Sequence, residues 1–166
     1  MVEQLWAPWR LEYVRGERTA ACVLCDKPHH SDAAESLVVH QGESAYVVLN
    51  LYPYNPGHLM VCPYRHVADL TELTEPESSE CLRLVQQSMR VLRATSSPGG
   101  FNIGLNQGSA GGAGIADHLH WHVVPRWDGD TNFMPVIGEM KVMAQHMHTT
   151  WELVQQGFAE MQKGNS

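Results

Sequence analysis

The sequence predicts an α+β fold: a mostly antiparallel five-stranded sheet, one long helix and a second helix at the C-terminal end. Three observations carry this expectation. Short runs rich in β-branched and aromatic residues come first. One long amphipathic stretch follows them, and further β-like runs come after it. The 166 residues are 43% hydrophobic and 17% charged, a globular composition at a length that predicts one domain over residues 1–166.

Residues 37–40 and 46–49 flank a turn containing Gly42 and read as a hairpin. Pro53, Pro56 and Gly57 mark a tight loop, and residues 58–62 give a third strand. The long helix starts at Thr74, which has capping-box spacing to Glu77, with Pro76 in the first turn. Leu82, Val85, Met89 and Leu92 recur at steps of three and four, and Ser97-Pro98-Gly99-Gly100 ends the helix. Residues 101–105 and 119–124 supply the fourth and fifth strands, joined by a loop over 106–117, and residues 151–161 read as the last helix. Cys62 and Cys81 read as small buried hydrophobes, and Trp6, Trp9 and Tyr13 as packing residues.

Charge and composition exclude several functions. With 11 basic against 18 acidic residues the chain carries a formal charge of −7, the wrong sign for a protein that coats duplex nucleic acid. No apolar run approaches the ~20 residues of a membrane span, and the first twenty residues lack the apolar stretch of a signal peptide. Four cysteines, two of them as Cys22-x-x-Cys25, do not form a secreted disulfide framework. A cytoplasmic protein without membrane or nucleic-acid partners is expected.

Ten histidines are the unusual feature, and three lie in His118-Leu119-His120-Trp121-His122. On a strand they share one face, while Leu119, Trp121 and Val123 anchor the other. His29, His30, His40, His146 and His148 have no spacing that asks for chemistry and read as surface or loop residues. Two chemistries use a row of imidazoles. A catalytic zinc would take two of them, but not all three, because His118 and His122 begin ~13 Å apart on a strand. Alternatively, the central imidazole attacks phosphorus while its neighbours orient it and bind phosphate. The upstream segment favours the second. Residues 99–114 hold seven of the chain's 14 glycines, with Asn106 and Ser109 as neutral donors, a composition suited to laying backbone N–H groups around an anion.

The run from His118 to Val124 matches the His-φ-His-φ-His-φ-φ signature, and the chain resembles the histidine triad (HIT) superfamily over roughly residues 22–140. Asn50, Pro56-Gly57-His58 and Pro125-Arg126 extend the likeness. Residues 50–61 and 127–134 are similar to the bacterial diadenosine tetraphosphate phosphorylase (ATP adenylyltransferase) branch. The resemblance implies a HIT-like fold and nucleotidyl transfer in two steps. His120 attacks the α-phosphorus and expels the polyphosphate, and phosphate or water then attacks the nucleotidyl-histidine. It implies that His122 binds the transferring phosphoryl group and protonates the leaving group, and that His58 supports the triad. Asn50 takes the ribose hydroxyls, and Asn106 with the backbone of 111–114, including Gly112 and Gly114, holds phosphate oxygens. Many relatives carry Gln or Ser at the position of Gly114; here Ser109 or a backbone N–H is the candidate for that contact.

Cys22-x-x-Cys25 by itself reads as a redox pair, half a zinc site or two small apolar residues. Some triad relatives pair such a motif with a distant histidine and the first triad histidine. That resemblance implies a closed structural zinc site of Cys22, Cys25, His66 and His118, and no catalytic cofactor. It also implies a homodimer formed through the long helix and sheet edge. The leading expectation is diadenosine tetraphosphate plus phosphate giving ATP and ADP, with a purine nucleotide or dinucleoside polyphosphate as ligand. The alternatives are a hydrolase of dinucleoside polyphosphates or nucleoside phosphoramidates, a nucleotide-binding interaction protein with little turnover, and a catalytic-zinc hydrolase.

Overall fold

A computed structural model describes residues 22–130 and 146–164. Trp6, Trp9, Tyr13 and residues 131–134, which the sequence reading uses, lie outside them. Two short helices, α1 (Val23–Asp26) and α2 (Ala33–Ser36), precede the hairpin β1 (Val38–Gln41) and β2 (Ala45–Leu49). Strand β3 (Leu59–Pro63), helix α3 (Glu75–Ser96), strands β4 (Gly100–Leu105) and β5 (Trp121–Arg126), and helix α4 (Met147–Gly164) follow. All strand pairs are antiparallel, in the order β1-β2-β3-β5-β4. The expected α+β sheet is therefore present, with the two expected helices.

Every residue of β2 and β3 is buried, so both faces of the sheet centre are covered. Helix α3 lies across β2, β3 and β5, and α4 packs on α3 and β1. They meet closely at Gly157, where a Cβ would sit 2.7 Å from Val91 Cγ1. Beneath the sheet, Tyr46 donates 2.6 Å to the Leu24 carbonyl and ties the N-terminal segment to β2. Gly57 takes φ +77° in the turn before β3, and a Cβ there would lie 3.1 Å from Leu92 Cδ2.

Helix α3 begins as its sequence dictates: Thr74 and Glu77 form a complete capping box, and Ser97 closes the other end in the left-handed conformation. The buried stripe, however, runs through Cys81, Leu84, Val85, Ser88, Val91 and Leu92. Leu82 is 54% exposed, one position off the stripe. Cys62 and Cys81 are fully buried, as expected. His40, read as a surface or loop residue, is half-buried and stacks on Phe158 with ring centroids 4.8 Å apart. A groove of about 650 Å³ opens beside that stack between β1 and α4, and no triad histidine lines it.

Strand β5 starts at Trp121, two residues later than expected, so the triad is not a continuous strand face. The reason lies in Pro63. Pairing of β3 with β5 stops at Val61 and Trp121, and the next β3 position on that face is a proline with no N–H to give. The Pro63 carbonyl instead lies 2.9 Å from His118 Nε2, and Leu119 N–H donates 2.7 Å to Val67 O.

The loop after β3 is anchored to α3. Arg65 donates through Nε and Nη2 to the two oxygens of Glu77, at 2.9 and 2.8 Å, and Thr74 N–H also donates to that carboxylate. Arg65 and these N–H and O–H donors pull the Glu77 carboxyl down to about 2. Because the folded state depresses this pKa, its stabilisation is complete above the ordinary value of 4.5 and lost as pH falls towards 2. Glu77→Gln should cost about 1–3 kcal/mol at neutral pH. The deficit should shrink at pH 3 in urea titrations; an equal deficit at both pH values excludes the charge as its source.

Candidate active site

The β2–β3 loop, β5 and its approach bring His58, His120 and His122 together. The His58 and His122 ring centroids are 5.1 Å apart, and those of His120 and His122 are 4.9 Å apart. Three hydrogen bonds fix which nitrogen of each ring carries a proton. His120 Nδ1 lies 2.8 Å from the His118 carbonyl, which can only accept, so Nδ1 is protonated and Nε2 carries the nucleophilic lone pair. Burial pushes the His120 pKa below the ordinary histidine value, which keeps that imidazole neutral.

The neighbouring ring is set the other way. Tyr54 N–H donates 3.1 Å to His58 Nδ1, and Asn50 Nδ2 lies 3.3 Å from the same atom. Asn50 Oδ1 accepts from Tyr52 N–H at 3.0 Å, which turns its amide nitrogen towards His58. With Nδ1 accepting, neutral His58 carries its proton on Nε2 and donates 3.0 Å to His122 Nδ1. Neutral His122 then bears its proton on Nε2. Adjacent rings thus present a lone pair at His120 and a donor at His122, an arrangement suited to attack on phosphorus beside a hydrogen bond to a departing oxygen. The Tyr54 ring stacks on His58 at 4.9 Å. Sequence reasoning gave Tyr54 no role; its contribution is a main-chain N–H, which no residue type announces.

Of the other expected ligand-binding residues, Asn50 joins the histidine network and Asn106 lines a cleft with His122. Asn106 Nδ2 also donates to the Gly112 carbonyl at 3.5 Å. Ser109, Gly112 and Gly114 are exposed in the loop before the triad. The N–H groups of Gly112 and Ala113 donate to the Ser109 and Gly108 carbonyls and shape that loop from within. No direct contact joins Ser109 or Gly114 to the histidines among the described hydrogen bonds.

Cys22, Cys25, His66 and His118 converge beside the triad, with their candidate ligand atoms all within 4.8 Å of one another. His118 Nδ1 is 3.4 Å from both sulfurs, and His66 Nδ1 is 3.3 Å from Cys25 Sγ. Ligands at zinc distances around one tetrahedral centre would be ~3.5 Å apart. Because His118 Nε2 faces the Pro63 carbonyl, its Nδ1 lone pair points into the cluster, the tautomer a metal requires. Burial and the adjacent Cys22 push the Cys25 thiol up to about 11, and a bound cation would reverse this by stabilising the thiolate. The four residues fit a metal ion, and Cys22-x-x-Cys25 is neither a disulfide nor an isolated pair.

A sheet of this order with imidazoles at the mouth of its central strands defines a class. The chain belongs to the HIT domain family, whose model matches residues 31–129. It is 45% identical over 162 residues to the AP-4-A phosphorylase of Mycobacterium tuberculosis, covering 92% of this chain and 83% of that one. It is also 31% identical over 91 residues to a bis(5'-adenosyl)-triphosphatase of Saccharomyces cerevisiae, across 54% of this chain and 44% of the yeast protein. Among solved structures, a Zn-bound histidine triad family protein from Mycobacterium smegmatis shares the fold with a TM-score of 0.70 at 24% identity, covering 87% of this chain and 97% of that one.

Proposed function

We propose that the chain is a nucleotidyl transferase that converts diadenosine tetraphosphate and phosphate to ATP and ADP. The observation that carries this reading is the placement of the two adjacent imidazoles, His120 Nδ1 against the His118 carbonyl and His122 Nδ1 against His58, together with 45% identity to an AP-4-A phosphorylase. His120 Nε2 attacks one α-phosphorus, and the bond from that phosphorus to the bridging oxygen breaks. His122 Nε2–H donates a hydrogen bond to the departing oxygen, and ATP leaves as its anion. Phosphate then attacks the adenylyl-histidine, the phosphorus–nitrogen bond breaks, and ADP forms. Positioning and neutralisation of developing charge supply the catalysis. In this reading Asn50 receives the ribose hydroxyls, while Asn106, Ser109 and the backbone at Gly112 and Gly114 receive phosphate oxygens. His58 acts as a positioning residue through His122.

The Cys22, Cys25, His66 and His118 cluster is assigned to zinc, a closed structural site whose bound ion would cross-link the N-terminal segment, the loop after β3 and the approach to the triad. A cytoplasmic setting is consistent with four free cysteines, two of them candidate metal ligands. Among the described residues, no helix is long and apolar enough to cross a membrane. A homodimer through the long helix and sheet edge belongs to the same reading.

Incubation with diadenosine tetraphosphate, with and without inorganic phosphate, tests the reaction. ADP plus ATP should appear only when phosphate is present. AMP plus ATP without phosphate would replace this assignment with a hydrolase using the same nucleophile.

A further inference from the structure

His122 divides the outer face of the sheet. Its register partner on β3 is Met60, on the side of His58 and Asn50, and its partner on β4 is Gly104. On the β4 side the sheet surface is bare. Gly100, Asn102 and Gly104 oppose Arg126, Val124 and His122, and a Cβ built on either glycine would meet nothing within 4 Å. The result is a trough of about 410 Å³ that begins at His122 and reaches Arg126, with Tyr54 and Asn55 on its wall. Among the described residues lining it, Arg126 is the one permanent cation.

Arg126 is held in place by two partners. Its Nε and Nη2 donate to the two oxygens of Asp130, at 2.6 and 2.7 Å, and Nη1 donates 2.7 Å to Asn102 Oδ1. Asp130 is fixed in turn by Asn55 Nδ2 at 2.7 Å and by Trp127 N–H at 3.2 Å. Asn55, 5% exposed, also donates to the Pro125 carbonyl at 3.0 Å. The contact with Asn102 draws the guanidinium back along the strand. Asn102 is one face position from Gly104, ~7 Å along β4, so the cation lies a few bonds of polyphosphate from His122 rather than at the far end of β5.

We propose that this trough is the subsite for the leaving half of the dinucleoside polyphosphate. Its phosphates run from His122 over the bare floor of β4 to Arg126, while the transferred nucleotide lies on the Asn50 side. Arg126 binds substrate, Asn102 and Asp130 position it, and the Asn55–Asp130 bond couples the loop that sets the His58 tautomer to the subsite wall. Fixing the guanidinium before the ligand arrives removes an ordering cost that a loose arginine would incur on binding. The absence of a side chain at Gly104, beside His122, admits a bulky, highly charged chain where another residue would obstruct it. This proposal rests on the reading of the substrate given above.

Binding to a catalytically impaired background tests the subsite without relying on turnover. In His120→Ala protein, diadenosine tetraphosphate should bind at least about tenfold more tightly than AMP, the gain expected from one or more charge-assisted hydrogen bonds. Adding Asn102→Asp keeps an acceptor for Arg126 at an exposed position but puts a negative charge in the trough. It should abolish the tetraphosphate advantage and leave AMP affinity where it was. Arg126→Gln should do the same, and Asn102→Asp decides the matter if loss of the Asp130 clamp prevents folding. No advantage in the parent, an unchanged advantage in Asn102→Asp, or equal weakening of both ligands would each overturn the subsite. If the wild-type protein instead fails to make ATP and ADP with phosphate, the proposed reaction falls and the binding comparison still decides the subsite.

Discussion

His120→Ala should lower turnover of diadenosine tetraphosphate by roughly 10⁴-fold or more, while AMP affinity changes little. The size of the effect follows from the division of labour between the imidazoles. The His118 carbonyl holds the proton of His120 on Nδ1, and burial keeps the ring neutral, so its Nε2 is a standing nucleophile. The His122 ring cannot replace it. His122 Nδ1 accepts from His58 and faces away from attack, and the opposite nitrogen carries the N–H that hydrogen-bonds the leaving oxygen. Removing His120 therefore removes the covalent step and leaves the surrounding pocket largely intact. Rapid-quench analysis of wild-type protein with radiolabelled substrate should trap an adenylyl-protein that is absent from the variant. Wild-type-like turnover in His120→Ala would remove the mechanism altogether.

Much of this was legible in the residues. The capping box at Thr74 and Glu77 and the hairpin over β1 and β2 are local signals, written in contiguous sequence, and the structure repeats them. The alternation of His118, His120 and His122 drew attention to the site, but their division between the cysteine cluster and the His58 network was not visible in it. The true start of β5 was not visible, because it depends on a proline in a different strand that ends the ladder. Leu82 shows a related failure: a step of three fits a helical stripe equally well on either side of it, and only the sheet beneath decides which side is buried. The tautomers of His58 and His122 were illegible for a deeper reason. They are set by the main-chain N–H of Tyr54, whose side chain carries no trace of that bond. The clamp of Asn55, Asp130, Arg126 and Asn102 joins a loop, the end of a strand and the adjacent edge strand, and no spacing in the sequence relates them.

Removal of the proposed zinc should destabilise the protein by at least about 3 kcal/mol, and activity should fall with it. Without a cation the cluster holds two thiols around an imidazole lone pair, and burial disfavours the Cys25 thiolate. With one, both thiols lose their protons, so zinc affinity should rise with pH below the thiol pKa values and binding should release protons. The fold gains because the four ligands come from three separate chain positions: Cys22 and Cys25 before β1, His66 after β3, and His118 ahead of β5. His118 connects this cross-link to catalysis, since its carbonyl orients His120 while its ring faces the sulfurs. Cys25→Ser should therefore lower Tm and turnover together, whereas chelation at a catalytic zinc would abolish turnover with the fold intact. Thermal unfolding and initial rates, measured on the same chelated samples before and after zinc is restored, separate the two. Less than one zinc per chain in protein prepared without chelators would refute the assignment. With the ion present, loss and recovery of Tm and rate in parallel would identify it as the support on which the nucleophile's position depends.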